Sequence, residues 1–210
     1  MKKNIFSIMA IAVMFFTACN NNGSKNEHEG HDMSNMSKDS SQHAATVDDK
    51  EIKTVTVTYT GIDAKAAASL KEIVDHYLHI KNALINDNGS EAASGGKAME
   101  AVISKLDKSL LTAEQKKVYD NIEDDLKEHA EHIGKNGSNI EHQREHFSMM
   151  SEDVYDLAKA FGAGRVLYHD HCPMYNENKG AMWLSEMKEI KNPYFGAEMP
   201  TCGKVEEVIK

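Results

Sequence analysis

Two short segments near the end of the chain hold the residues best suited to chemistry. His169-Asp170-His171-Cys172-Pro173-Met174 is answered by Met199-Pro200-Thr201-Cys202-Gly203. Thiolate and thioether sulfur form a soft donor set that favours Cu(I), and by extension Ag(I), over ions that want oxygen. His169 and His171 add borderline donors that also accept Cu(II) or Zn(II). Zinc is disfavoured, because each arm offers one cysteine rather than a pair at zinc-site spacing. Cys172, Met174 and Cys202 make the primary site expected here, with Met199, His171 and His169 as further ligands. The alternative is a Cys172–Cys202 disulfide closing a long loop, which an oxidising compartment permits.

A second set of donors lies upstream. His129 and His132 are three apart, and His142 and His146 are four apart, so on helices each pair shares a face. Met149 continues the stripe of His142 and His146, and these residues form a secondary site with His132. The competing reading is a solvated surface on which Glu128, Glu131, Glu141 and Glu145 satisfy the imidazoles, with His129 a core-edge residue. His76 and His79 stand apart and read as structural, and Met182 and Met187 as packing residues. A third set, His28, His31, Met33 and Met36, lies on a segment with almost nothing to bury and could wrap one soft ion.

Helices must position the second set. Leu70, Ile73, Val74, Tyr77, Leu78, Leu84 and Ile85 mark a first helix that stops at Asn86-Asp87-Asn88-Gly89. A second runs from about Ser90 to Leu110, weakened at its start by Gly95-Gly96. A third opens at Thr112-Ala113-Glu114-Gln115, a capping-box pattern, and continues to Gly134. The fourth runs from Ile140 to Phe161. Short connections between long amphipathic helices imply antiparallel neighbours, so the expected fold is all-α, an up-and-down four-helix bundle over residues 66–164. Ile52 to Tyr59, within a lead-in at 51–65, reads as one short strand or extended chain. Residues 165–210 hold all the prolines and no sustained helical period, and read as a loop-rich lobe packed on the bundle.

The first residues indicate where this chemistry would occur. Met1-Lys2-Lys3, an apolar run from Ile5 to Phe16 and then Thr17-Ala18-Cys19 form a signal peptide (1–18) with a lipobox-like end. Cys19 would be acylated, anchoring the protein in the cell envelope on the periplasmic face or the outer membrane, with residues 19–50 as a tether. The whole chain carries 24 basic and 33 acidic residues, which argues against nucleic acid as a partner. No nucleophile elbow, phosphate loop or zinc-protease motif is present, so no enzymatic activity is expected.

Tyr168 to Met174, Gly180 to Ser185, Glu189 to Gly196 and Met199 to Gly203 resemble the domain of unknown function 3347 family, as do Tyr77 to Leu84 and Gln143 to Phe147. The resemblance covers roughly residues 66–208. Members of that family occur as small envelope lipoproteins and on periplasmic adaptors of heavy-metal efflux pumps. The Cys-Pro-Met and Cys-Gly arms are also loosely similar to the short metal-binding domains of copper ATPases, which carry a further Cys where this chain has Thr201. The resemblance implies copper or silver handling, with an efflux pump or its adaptor as partner. The expected function is therefore sequestration or relay of soft metal ions. The rival is a metal-free protein-interaction module with the two cysteines bridged.

Overall fold

A computed structural model describes residues 52–210. The signal segment, Cys19 and the tether donors His28, His31, Met33 and Met36 lie outside the described residues. A short strand, β1 (Lys53–Val55), precedes α1 (Ala64–Ile85), whose first N–H groups are taken by the Asp63 carboxylate. Asn88 caps α2 (Gly89–Ile103) in the same way through the N–H of Glu91. The sequence places the end of this second helix near Leu110, but it stops at Ile103. A 3-10 turn (Lys108–Leu110) follows, because the Asp107 side chain takes the N–H of Ser109 and competes with the helix.

The expected third helix is two. α3 (Ala113–Asp120) opens with the capping box between Thr112 and Gln115. The chain breaks at Asn121 and Ile122, and α4 (Glu123–Lys135) begins afresh with Glu123, Asp124 and Asp125 in its first turn, where carboxylates offset the helix dipole. Lys108 spans the break, reaching Asp120 at 3.1 Å and Glu123 at 2.5 Å. α5 (Ile140–Phe161) is capped by Asn139 and ends at Gly162, whose φ of +75° suits glycine. Helices α1, α2, α4 and α5 pack each against the next, and α5 returns to α1.

Gly95 and Gly96, which by propensity weaken α2, are there for contact. A Cβ on Gly96 would lie 2.7 Å from the Ala130 carbonyl oxygen and 2.8 Å from the Gly134 nitrogen, both backbone atoms. α2 and α4 therefore meet along their main chains.

The expectation of an all-α fold is overturned. The segment after α5 builds β2 (Leu167–Cys172), a four-residue turn α6 (Tyr175–Asn178), β3 (Ala181–Ser185) and β4 (Lys204–Ile209). With β1 they form a four-stranded sheet in the order β1-β4-β2-β3, parallel between β1 and β4 and antiparallel elsewhere. The class is α+β, and the C-terminal lobe supplies three strands of the sheet, with a long connection over residues 186–203 between β3 and β4. Its period of two is masked because β2 alternates Asp170 and Cys172 against His169 and His171, placing polar residues on both faces. In β4, Glu206 and Glu207 interrupt the apolar signal of Val205, Val208 and Ile209.

Trp183, Leu184, Leu167 and Ile209 are buried in the same core as Tyr77, Phe147 and Val154, so sheet and helices share one interior. Tyr77 joins the layers: its hydroxyl pairs with Ser151 Oγ at 2.8 Å and accepts the Leu184 N–H at 2.9 Å. Lys81, fully buried on α1, reaches Ser185, the last residue of β3, at 3.3 Å and Glu186 just beyond it at 2.6 Å.

Candidate metal centre

The α4–α5 connection is short and tightly held. Gln143 is fully buried, and its amide donates to the carbonyls of Ile133 (3.0 Å) and Gly89 (2.9 Å), tying both helices to the start of α2. Asn136 donates to the His132 carbonyl, and Asn139 accepts from the His142 N–H. These bonds fix the register in which α4 and α5 run past each other, and that register determines which side chains meet.

Four imidazoles meet. His129 Nδ1 and His146 Nδ1 are 3.1 Å apart, and His132 Nδ1 and His142 Nε2 are 3.3 Å apart. The rings of His132 and His146 stack at 4.1 Å between centroids. His132, His142 and His146 each offer a ligand nitrogen, all within 4.8 Å of one another. A tetrahedral ion with metal–nitrogen bonds of about 2.0 to 2.1 Å needs nitrogens about 3.3 Å apart, so the two close pairs already stand near ligand spacing.

Their protonation suits ligation. Burial, followed by the three neighbouring histidines, pushes His146 down to about 4, and burial also lowers His129. Both are neutral at pH 7 and carry a free lone pair. Two neutral imidazoles face to face can share only one proton between their close nitrogens, whereas a cation between them satisfies both. The acidic flank does little here: among the described residues only Glu145 reaches an imidazole of the cluster, His142, at 3.4 Å. Glu131 is paired with Lys135 instead. His129, which the sequence pairs with His132 on one face and alternatively reads as a core-edge residue, belongs to the cluster.

The C-terminal donors are arranged differently. Cys172 is buried and Cys202 partly so, with their sulfurs 2.6 Å apart. Two thiolates on one tetrahedral ion would stand about 3.8 Å apart, given metal–sulfur bonds of about 2.3 Å, so this is a contact pair rather than a splayed ligand pair. Burial, together with the adjoining Cys172 thiol, holds the Cys202 thiol above its usual range. Alternation along β2 puts His169 and His171 on the face opposite Cys172. His169 lies against the Tyr155 ring, and His171 faces Glu206 at 3.7 Å. Met174 is half exposed, and the Met199 carbonyl accepts the Cys202 N–H. Between the histidines, Asp170 is buried with neither oxygen partnered, and burial pushes it up to about 8. It is a neutral acid at pH 7, not a carboxylate ligand. Met149 is exposed at the rim of a neighbouring cleft. His76 and His79 pair with Glu72 and Glu91, away from both sets.

Fold and site together define an α+β protein with an imidazole cluster between two antiparallel helices. Residues 73–165, which contain that cluster, match the family model described as "Protein of unknown function (DUF3347)". No curated protein and no solved structure matches the chain.

Proposed function

We propose that the protein binds a soft or borderline metal ion, copper first, at His132, His142 and His146, with His129 as a fourth ligand. The observation that carries this is the convergence of three imidazole nitrogens from two helices within 4.8 Å. An all-nitrogen site ranks divalent first-row ions in the Irving–Williams order, with copper at the top and zinc below it, and imidazole also takes Cu(I). In this proposal the chain is an envelope lipoprotein held through Cys19. Its tether histidines and methionines capture ions, and the protein sequesters them or relays them to a heavy-metal efflux pump. Relative to the sequence reading, the principal ligands move from the cysteine arms to the helical histidines. Silver is the second soft candidate, through the sulfur donors Met174 and Met199.

Titration of the purified protein with copper and with zinc against a competing chromophoric chelator tests this. One tight equivalent, lost in His132→Ala and His146→Ala and kept in Cys172→Ser with Cys202→Ser, is the expected result. Binding lost only in the cysteine variant would return the site to the C-terminal arms.

The metal-free interaction module keeps one point in its favour, the contact between the two sulfurs. Thiol counting on unreduced protein separates the readings of that pair: two free thiols argue against a bridge.

A further inference from the structure

A cleft of about 740 Å³ opens beside α5, within the size range of small-molecule sites, which is about 300 to 1,000 Å³. Five carboxylates line it against one guanidinium, that of Arg144. The guanidinium is already used: it donates to Asp87 (2.5 Å), to the Leu84 carbonyl (3.1 Å) and, through Nε, to the Pro193 carbonyl (2.9 Å). Glu141, Glu145, Glu177 and Glu198 are left facing the space, with only loose contacts from Glu177 to Lys179 and from Glu145 to His142.

The wall between these charges is aromatic. Tyr175 stacks on Tyr194 at 4.3 Å and meets Phe195 edge-on at 6.0 Å. The Tyr175 hydroxyl has no hydrogen-bond partner among the described residues, and burial, then the Glu145 charge, pushes its ionisation up to about 12. The backbone is bent to hold this wall. The four non-glycine residues at positive φ among those described are Asp87, Asn176, Glu177 and Asn178; the first three line the cleft and the fourth adjoins it. Such conformations cost about 1 to 2 kcal/mol each and persist where the surroundings impose them.

A hard divalent ion needs several oxygens converging at about 2.3 to 2.6 Å, and these carboxylates form no such group, the histidine cluster being the one found among the described residues. Dispersed carboxylates around an aromatic wall suit instead a cation whose charges are separated along an apolar stem. We infer that this cleft binds a small organic ion of the polyamine class. Its alkyl stem lies on Tyr175 and Phe195, and its ammonium groups face Glu141, Glu145, Glu177 and Glu198.

Calorimetry of the purified, metal-free protein with spermidine tests this independently of the metal centre. Saturable binding is expected, weakened about fivefold by Tyr175→Leu through loss of the ring face on which the stem lies and kept by Tyr175→Phe. Glu177→Gln with Glu198→Gln, both at exposed positions, is expected to weaken it about tenfold. Octane-1,8-diol should not bind, and magnesium at matched charge should not displace spermidine. If Tyr175→Leu fails to fold by circular dichroism, the glutamate pair decides. Absence of saturation, indifference to the glutamate pair, equal binding of the diol or displacement by magnesium each overturns the proposal; the last would mean diffuse counterion attraction.

Discussion

His129 and His146, seventeen positions apart, meet Nδ1 to Nδ1 at 3.1 Å across the α4–α5 interface. Since the same His146 ring also stacks on His132 and meets His142 edge-on, it is the centre of the cluster. His146→Ala is therefore expected to abolish high-affinity metal binding, whereas His129→Ala weakens it. In the wild type, metal at one hundred times its dissociation constant adds about 2.7 kcal/mol of stability by mass action. Thermal unfolding with and without copper checks this. An equal rise in Tm in His146→Ala would place the ion elsewhere.

Acid should weaken the metal-free fold through the same residue. His146 titrates at about 4 in the folded chain against an ordinary 6.5, held down by burial and by His129, His132 and His142. On acidification the unfolded chain takes the proton first, so stability present above about pH 6.5 is lost as pH falls towards 4. The loss is at most roughly 3 kcal/mol for a displacement of this size, and less once solvent screens the neighbouring imidazoles. Urea unfolding at several pH values, compared with His146→Gln, measures it. An identical pH slope in the variant would contradict the assignment.

Gly96→Ala should damage both fold and site. The new methyl would strike main-chain atoms of α4, which cannot rotate away, and overpacking of this kind costs about 1 to 3 kcal/mol. Because α4 carries His129 and His132, metal affinity should fall together with stability. A destabilised variant with wild-type affinity would show that the cluster tolerates displacement of α4.

Tyr77→Phe removes a single oxygen but strands two buried partners, Ser151 and the Leu184 N–H. The expected cost is about 1 to 3 kcal/mol. Ser151 also donates to the Phe147 carbonyl, so the Leu184 amide bears most of the loss. Hydrogen exchange at Leu184 is the direct readout: unchanged protection there would mean that β3 is held by strand pairing alone.

The double variant Cys172→Ser with Cys202→Ser should keep the affinity of the histidine centre within about twofold, since the two sets share no ligand. It should also lower Tm, because Cys172 is fully buried and loses its sulfur neighbour. A changed affinity for copper at the histidines would show that the two regions are coupled.

The amphipathic period, the Thr112 capping box and the three- and four-residue spacings of the histidines were legible in the sequence alone. They are local properties, decided by which side chains share a helical face or reach a nearby N–H. Tertiary structure decided the rest. The sheet stayed hidden because β2 and β4 carry His, Asp and Glu on both faces, and they become strands only by pairing with each other and with β1, more than a hundred residues upstream. Gly96 read as a weakness until a neighbouring main chain occupied the space its Cβ would fill. Spacing could place two histidines on each helix. Only the register fixed by Gln143 and the α4–α5 turn brings the four rings together and sets them apart from the cysteines, because contacts distant in sequence are determined by how the core packs.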